Sequence, residues 1–89
     1  MKLLKSEQDV KLFNNAVDKC SGEVVLRSMD GREELNLKSQ LSRFIAIGKL
    51  CQDNGDEYEV FCLDRNDVGY LLGFFSQIHS HNLYPAMTT

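Results

Sequence analysis

The chain has 89 residues, 43% of them hydrophobic and 26% charged, a balance that belongs to a folded domain and not to a disordered chain. Its length suits one core rather than two. A formal net charge of -3, with no segment that concentrates Lys and Arg, excludes a general attraction to phosphate backbones, so no nucleic-acid partner is expected.

Met1 to Leu4, apolar apart from Lys2, read as a short first strand. The polar patch Lys5 to Asp9 follows, and from it an apolar series emerges at Val10, Phe13, Val17 and Cys20. That spacing is helical. Ser6 or Asp9 can cap the helix, because a short side-chain oxygen accepts from the free N–H groups of a first turn. Ser21-Gly22 supplies its stop. Glu23 to Ser28 and Arg32 to Leu37 flank Met29-Asp30-Gly31, and Asp-Gly between two short runs predicts a hairpin. Val24 and Leu26 share one face, as do Leu35 and Leu37, while Arg27, Glu34 and Asn36 face water.

From Lys38 to Cys51 the positions Leu41, Phe44, Ile45, Gly48 and Cys51 recur at helical steps, which predicts a second amphipathic helix with that stripe inward. Gln52 to Asp56 breaks it. Glu57 to Leu63 reads as a strand whose inward side is either Tyr58, Val60 and Cys62 or Phe61 and Leu63, with Val60 and Cys62 favoured. Asn66 or Asp67 can cap a third helix carrying Val68, Leu71, Leu72, Phe75 and Ile78. That helix is expected to end near His79, with Pro85 interrupting any continuation and residues 81–89 forming a flexible tail to a domain of residues 1–80.

The order strand, helix, strand, strand, helix, strand, helix predicts an α+β fold, a four-stranded sheet with three helices on one face. No apolar run approaches the roughly 20 residues that cross a bilayer, and Met1 to Asp9 lack the apolar stretch of a signal peptide. No membrane insertion and a cytoplasmic location are therefore expected. Cys20, Cys51 and Cys62 are odd in number and widely spaced, as in reduced buried thiols rather than a disulfide framework or a zinc site.

This βαββαβα order, with Gly22-Glu23-Val24-Val25-Leu26-Arg27-Ser28, the Asp30-Gly31 turn and Asn36-Leu37-Lys38-Ser39 at a helix start, resembles HPr, the histidine phosphocarrier of bacterial sugar phosphotransferase systems. The similarity spans about residues 1 to 80. HPr accepts phosphate on a histidine at the N-terminus of its first helix, usually followed within two or three residues by Arg and Pro. The matching stretch here is Ser6-Glu7-Gln8-Asp9-Val10, which has none of the three, and Glu7 and Asp9 would repel a phosphoryl donor. The resemblance thus implies a degenerate member that is not an enzyme and has no cofactor. Its partners would be other proteins, either phosphotransferase-system enzymes or a regulator.

Many members also carry a regulatory serine at the start of the second helix, and Ser39 is similar to it. A phosphate there would meet free N–H groups and the positive end of the helix dipole. Capping alone is the favoured account of Ser39, and alignment on the helical stripe would put Gln40 at the regulatory position. The family docks its partners at the same helix start through apolar side chains ringed by polar ones. Leu41 and Phe44 are similar to that patch, with Arg43 available for a partner's carboxylate, although both apolar residues also fit a core. A small ferredoxin-like or amino-acid-sensing module is the other architecture that uses such elements.

Three further clusters have plain readings. His79-Ser80-His81 lacks the third and fourth ligands of a stable metal site. Asp53 to Glu57 shares a composition, but not a spacing, with calcium loops and reads as a turn. Gly69 and Gly73, four apart in the third helix, permit close approach to the sheet or to another molecule, with close packing the preferred account, each costing roughly 1 kcal/mol relative to Ala.

Overall fold

Ser6 opens the first helix, its hydroxyl accepting from Asp9 N at 3.2 Å, and the helix α1 then runs Glu7–Lys19. This computed structural model describes residues 1–83, with side chains as far as Ile78. The later elements are β1 (Val24–Ser28), β2 (Glu34–Asn36), α2 (Gln40–Leu50), β3 (Tyr58–Cys62) and α3 (Val68–Leu83), with 3-10 turns at Gly55–Glu57 and Arg65–Asp67. The sheet is antiparallel throughout, in the order β2-β1-β3.

The hairpin forms where Asp-Gly predicts it. Gly31 has φ 76°, a left-handed conformation that a Cβ disfavours, and Gly31 N donates to Ser28 O at 2.9 Å. Leu26 sits opposite Leu35 on one side and Val60 on the other. Val24, Leu26 and Val60 face the helices and join Phe13, Val17, Ala46, Leu50, Leu71, Phe74 and Ile78 in one buried cluster. The favoured inward choice in the last strand is the one observed, with Val60 buried and Cys62 packed against the core. Phe13 and Phe74 meet edge to face, centroids 5.6 Å apart, and so fasten α1 to α3. The opposite face of the sheet is wet and charged. There Arg27 lies 4.7 Å above the Phe61 ring and pairs with Glu59 at 3.2 Å.

The described sheet has three strands, not four, because Met1–Leu4 do not pair with it. Leu3 N and Leu4 N both donate to Leu50 O, at 3.0 and 3.1 Å, and Asp56 N donates to Met1 O at 2.9 Å. The carbonyls of a helix's last turn have no intrahelical partner, so the exit of α2 captures the segment expected to form a first strand. Leu4 nonetheless fills the core.

The helix faces also differ from the expected stripes. In α2 the buried residues are Ala46 and Leu50, with Ile47 and Cys51 packed against them, whereas Leu41, Phe44, Ile45 and Gly48 face outward. A small residue, Ala46, lets α2 approach the core closely, and the bulkier residues on the adjoining face are left outside. In α3, Leu71, Phe74 and Ile78 are buried and Phe75 is half-buried, but Val68 and Leu72 are exposed. Gly69 and Gly73 do not serve close approach to the sheet. Both are exposed, and a Cβ at either would meet nothing within 4 Å; they border an open groove between α1 and α3.

Neither Asn66 nor Asp67 caps α3 directly. Asp64 caps the preceding 3-10 turn by accepting from Asn66 N at 2.9 Å, and Asp67 turns inward. The helix continues to Leu83, so residues 81–83 are helical rather than tail. The remainder of the expected tail, residues 84–89, and the side chains of His79 and His81 lie outside what is described.

Candidate functional site

Two side chains, Lys38 and Arg43, lock the start of α2 onto the end of α1. Lys38 Nζ donates to Val17 O at 2.8 Å, a carbonyl that also accepts from Cys20 N, and to Cys20 O, and so ties itself to the C-terminal end of α1. Arg43 Nε donates to Leu37 O at 2.8 Å, while its Nη1 pairs with Asp18 Oδ1 at 2.7 Å. Asp67 closes the same corner from the other side, accepting from Ser21 N at 3.0 Å and Gly22 N at 2.8 Å. Those two N–H donors hold the Asp67 carboxyl below the usual carboxylate range. Burial raises the neighbouring Cys20 thiol, which donates to Ala16 O.

With α2 held in this way, its outward face presents Leu41 at 71% exposure and Phe44 at 76%, beside the exposed Ile45 and Gly48. The sequence brings Leu41 and Phe44 together one turn apart, and the fold leaves both in solvent, so the core alternative for them is removed. Arg43 is not free as the sequence suggests. It is mostly buried and already holds Asp18 and the Leu37 carbonyl. Lys49, the other cation of α2, pairs with Glu33 at 2.6 Å and lies 5.6 Å from the Tyr58 ring centroid. The apolar face is therefore bordered by cations that are already neutralised.

Ser39 sits at the N-cap of α2, exposed, its hydroxyl accepting from Ser42 N at 3.5 Å. The capping role is real but the bond is long. Lys38, the nearest cation in sequence, is committed to α1.

At the start of α1, Glu7 is exposed and Asp9 is fully buried. Asp9 Oδ2 accepts from Lys5 N at 2.8 Å, and its Oδ1 has no hydrogen-bond partner. The Asp9 carboxyl thus turns inward and organises the entry of α1. Glu34 and Glu59 both approach Arg27, at 4.0 and 3.2 Å, and Glu33 is held by Lys49. Among the described residues no group of three or more His, Cys, Asp or Glu is arranged to hold a metal ion, and no helix is long and apolar enough to cross a membrane.

Sequence reasoning missed the clamps made by Lys38, Arg43 and Asp67. Each joins positions far apart in the chain, and the only local signal was a charged residue adjoining an apolar run. Comparison of the chain with protein-family models, with curated proteins and with solved structures finds no match.

Proposed function

We propose that the chain is a protein-binding domain of the HPr-like class, acting in the cytoplasm through the outward face of α2 and carrying no phosphohistidine. The observation that carries this reading is the exposure of Leu41, Phe44 and Ile45 together at the start of a helix whose flanking cations are already paired. Clustered exposed apolar side chains mark contact surfaces in soluble proteins, and aromatic residues dominate their energetics. The element order supports the resemblance, since α1-β1-β2-α2-β3-α3 is the βαββαβα order without its first strand. The partner is a folded protein that offers an apolar patch with an uncharged rim, in the first instance an enzyme of the phosphotransferase system.

The test is a titration of the isotope-labelled chain with the phosphoenolpyruvate-dependent kinase of such a system. Resonances of Gln40 to Gly48 should shift, and Phe44→Ala should weaken binding roughly tenfold or more. Added phosphoenolpyruvate should leave no acid-labile phosphate on the chain. Lack of binding, or a phosphohistidine, would reject the proposal.

A second reading is regulatory phosphorylation at Ser39. Its support is the exposed hydroxyl at the N-terminus of α2, where a phosphate would accept from free N–H groups more strongly than the present 3.5 Å contact. Mass spectrometry after incubation with an HPr-type serine kinase and ATP decides it: an unmodified Ser39 removes this reading.

A further inference from the structure

We propose that the chain forms a two-fold symmetric dimer by pairing β3 with β3 of a second copy, so that the two sheets become one and the α3 helices lie side by side above the seam.

The phase of the ladder identifies the free groups. Leu63 N donates to Glu23 O at 3.0 Å and Met29 N to Glu57 O at 2.8 Å, so Glu57, Glu59, Phe61 and Leu63 turn their backbone groups towards β1. On the other side of β1, Leu37 N donates to Val24 O and Ser28 N to Glu33 O, which gives even-numbered residues of β1 to β2 and odd-numbered ones to β3. The two ladders agree. Tyr58, Val60 and Cys62 therefore point their backbone groups away from the sheet. Tyr58 N is used by Gly55 O, but no backbone hydrogen bond is found for the N–H or C=O of Val60 or of Cys62 among the described residues. Those four groups are what an incoming antiparallel strand requires.

Edge strands are ordinarily protected by Lys, Pro, a bulge or a covering loop. Tyr58-Glu59-Val60-Phe61-Cys62 has no Lys or Pro, and the pairing of β3 with β1 advances residue by residue without a bulge. The segment expected to pair as an additional strand, Met1–Leu4, is held at the exit of α2. Beside the open edge, Val68, Leu71, Leu72 and Phe75 of α3 face Val60 and Cys62 of β3 across an apolar cleft of about 180 Å³. Leu72 is 62% exposed and Val68 is exposed as well.

A second copy is the occupant because the edge is self-complementary. A two-fold axis at Phe61 sets Val60 opposite Cys62 of the other copy. Each N–H in that pair meets a C=O, and both donors and both acceptors of each chain are used. Phe61 then stacks beside its equivalent on the wet face, and Glu59 falls opposite Leu63, so the like charges stay apart. On the helix side each copy brings Val68 and Leu72 to the axis, apolar against apolar and without charge repulsion. An isologous contact of this kind closes at two copies.

Sedimentation equilibrium and amide hydrogen exchange on the full chain test this together. The wild type should sediment as a dimer, with the Val60 and Cys62 amides protected. Leu72→Lys, at an exposed position that leaves the fold intact, should raise the dimer dissociation constant at least roughly tenfold and release those two amides. Met29→Lys, at an exposed apolar site on the hairpin, should change neither. A monomeric wild type overturns the proposal, whether those amides exchange quickly or are covered within one chain. A dimer insensitive to Leu72→Lys but broken by Phe44→Lys overturns it too, by moving the interface to α2. The α2 binding reading survives failure of the β3 pairing, because the two faces carry different residues.

Discussion

Asp67 is separated from Ser21 and Gly22 by most of the chain, yet its carboxylate receives both of their N–H groups. Because these bonds favour the charged form, the folded pKa lies below the unfolded value of about 3.9. The stabilisation is thus present above about pH 4 and is lost as pH falls through the folded pKa. Asp67→Asn should lower Tm at neutral pH, with a deficit that shrinks as the pH approaches 3, measurable by thermal unfolding followed by circular dichroism. Asp30, whose carboxyl is lowered by the Ser28 hydroxyl and the Arg32 N–H, retains its own acid dependence in that variant. The two residues differ in legibility. Asp30 belongs to an Asp-Gly turn whose partners are two residues away and was readable locally. The sequence offers Asp67, or Asn66, as a helix cap, because the true partners of Asp67 are remote in the chain.

At the scale of the element, α2 shows how periodicity identifies a helix without choosing its face. Its residues carry apolar side chains on two adjoining stripes, Leu41-Phe44-Ile45-Gly48 and Ala46-Ile47-Leu50-Cys51, each with helical spacing. Burial area favours turning the larger stripe inward. The observed choice follows from the Arg43 and Lys38 clamps to α1 and from the close approach that Ala46 permits. Two substitutions separate the faces by chemical denaturation. Ala46→Leu should cost about 1 to 3 kcal/mol through overpacking, whereas Phe44→Lys should stay within about 0.5 kcal/mol of the wild type. A large loss from Phe44→Lys would return that stripe to the core. In α1 a single stripe is available for the buried side, so Phe13 and Val17 are legible in the sequence, whereas β3 offers two sides and the structure selects the favoured one, with Val60 buried.

At the scale of the molecule, the first residues decide the number of strands. Gly55 lies where a Cβ would come within 2.5 Å of Leu50 O and 3.0 Å of Leu3 N, the two atoms through which Met1–Leu4 is held at the exit of α2. Both neighbours are backbone and cannot swing aside. Gly55→Ala should therefore displace the segment, raise hydrogen exchange at Leu3 and Leu4, and lower stability by about 1 to 3 kcal/mol, a cost comparable to other overpacked sites. Unchanged exchange at those amides would show that the segment is held by other contacts. The same geometry leaves β3 at an edge, which links the fate of the N-terminal segment to the pairing surface proposed above.

Local patterning suffices for the α+β class, the hairpin with its Gly31 turn, the existence and approximate limits of three helices, and the adjacency of Leu41 and Phe44. These depend on backbone geometry and on neighbours within a few residues. Long-range packing sets which stripe of α2 is solvent-exposed, where Met1–Leu4 is held, and the service of Arg43 and Asp67 at the join between α1 and its neighbours. Those outcomes depend on carbonyls and N–H groups left free at helix ends. The residues that satisfy them are brought near by folding and have no fixed spacing in the chain.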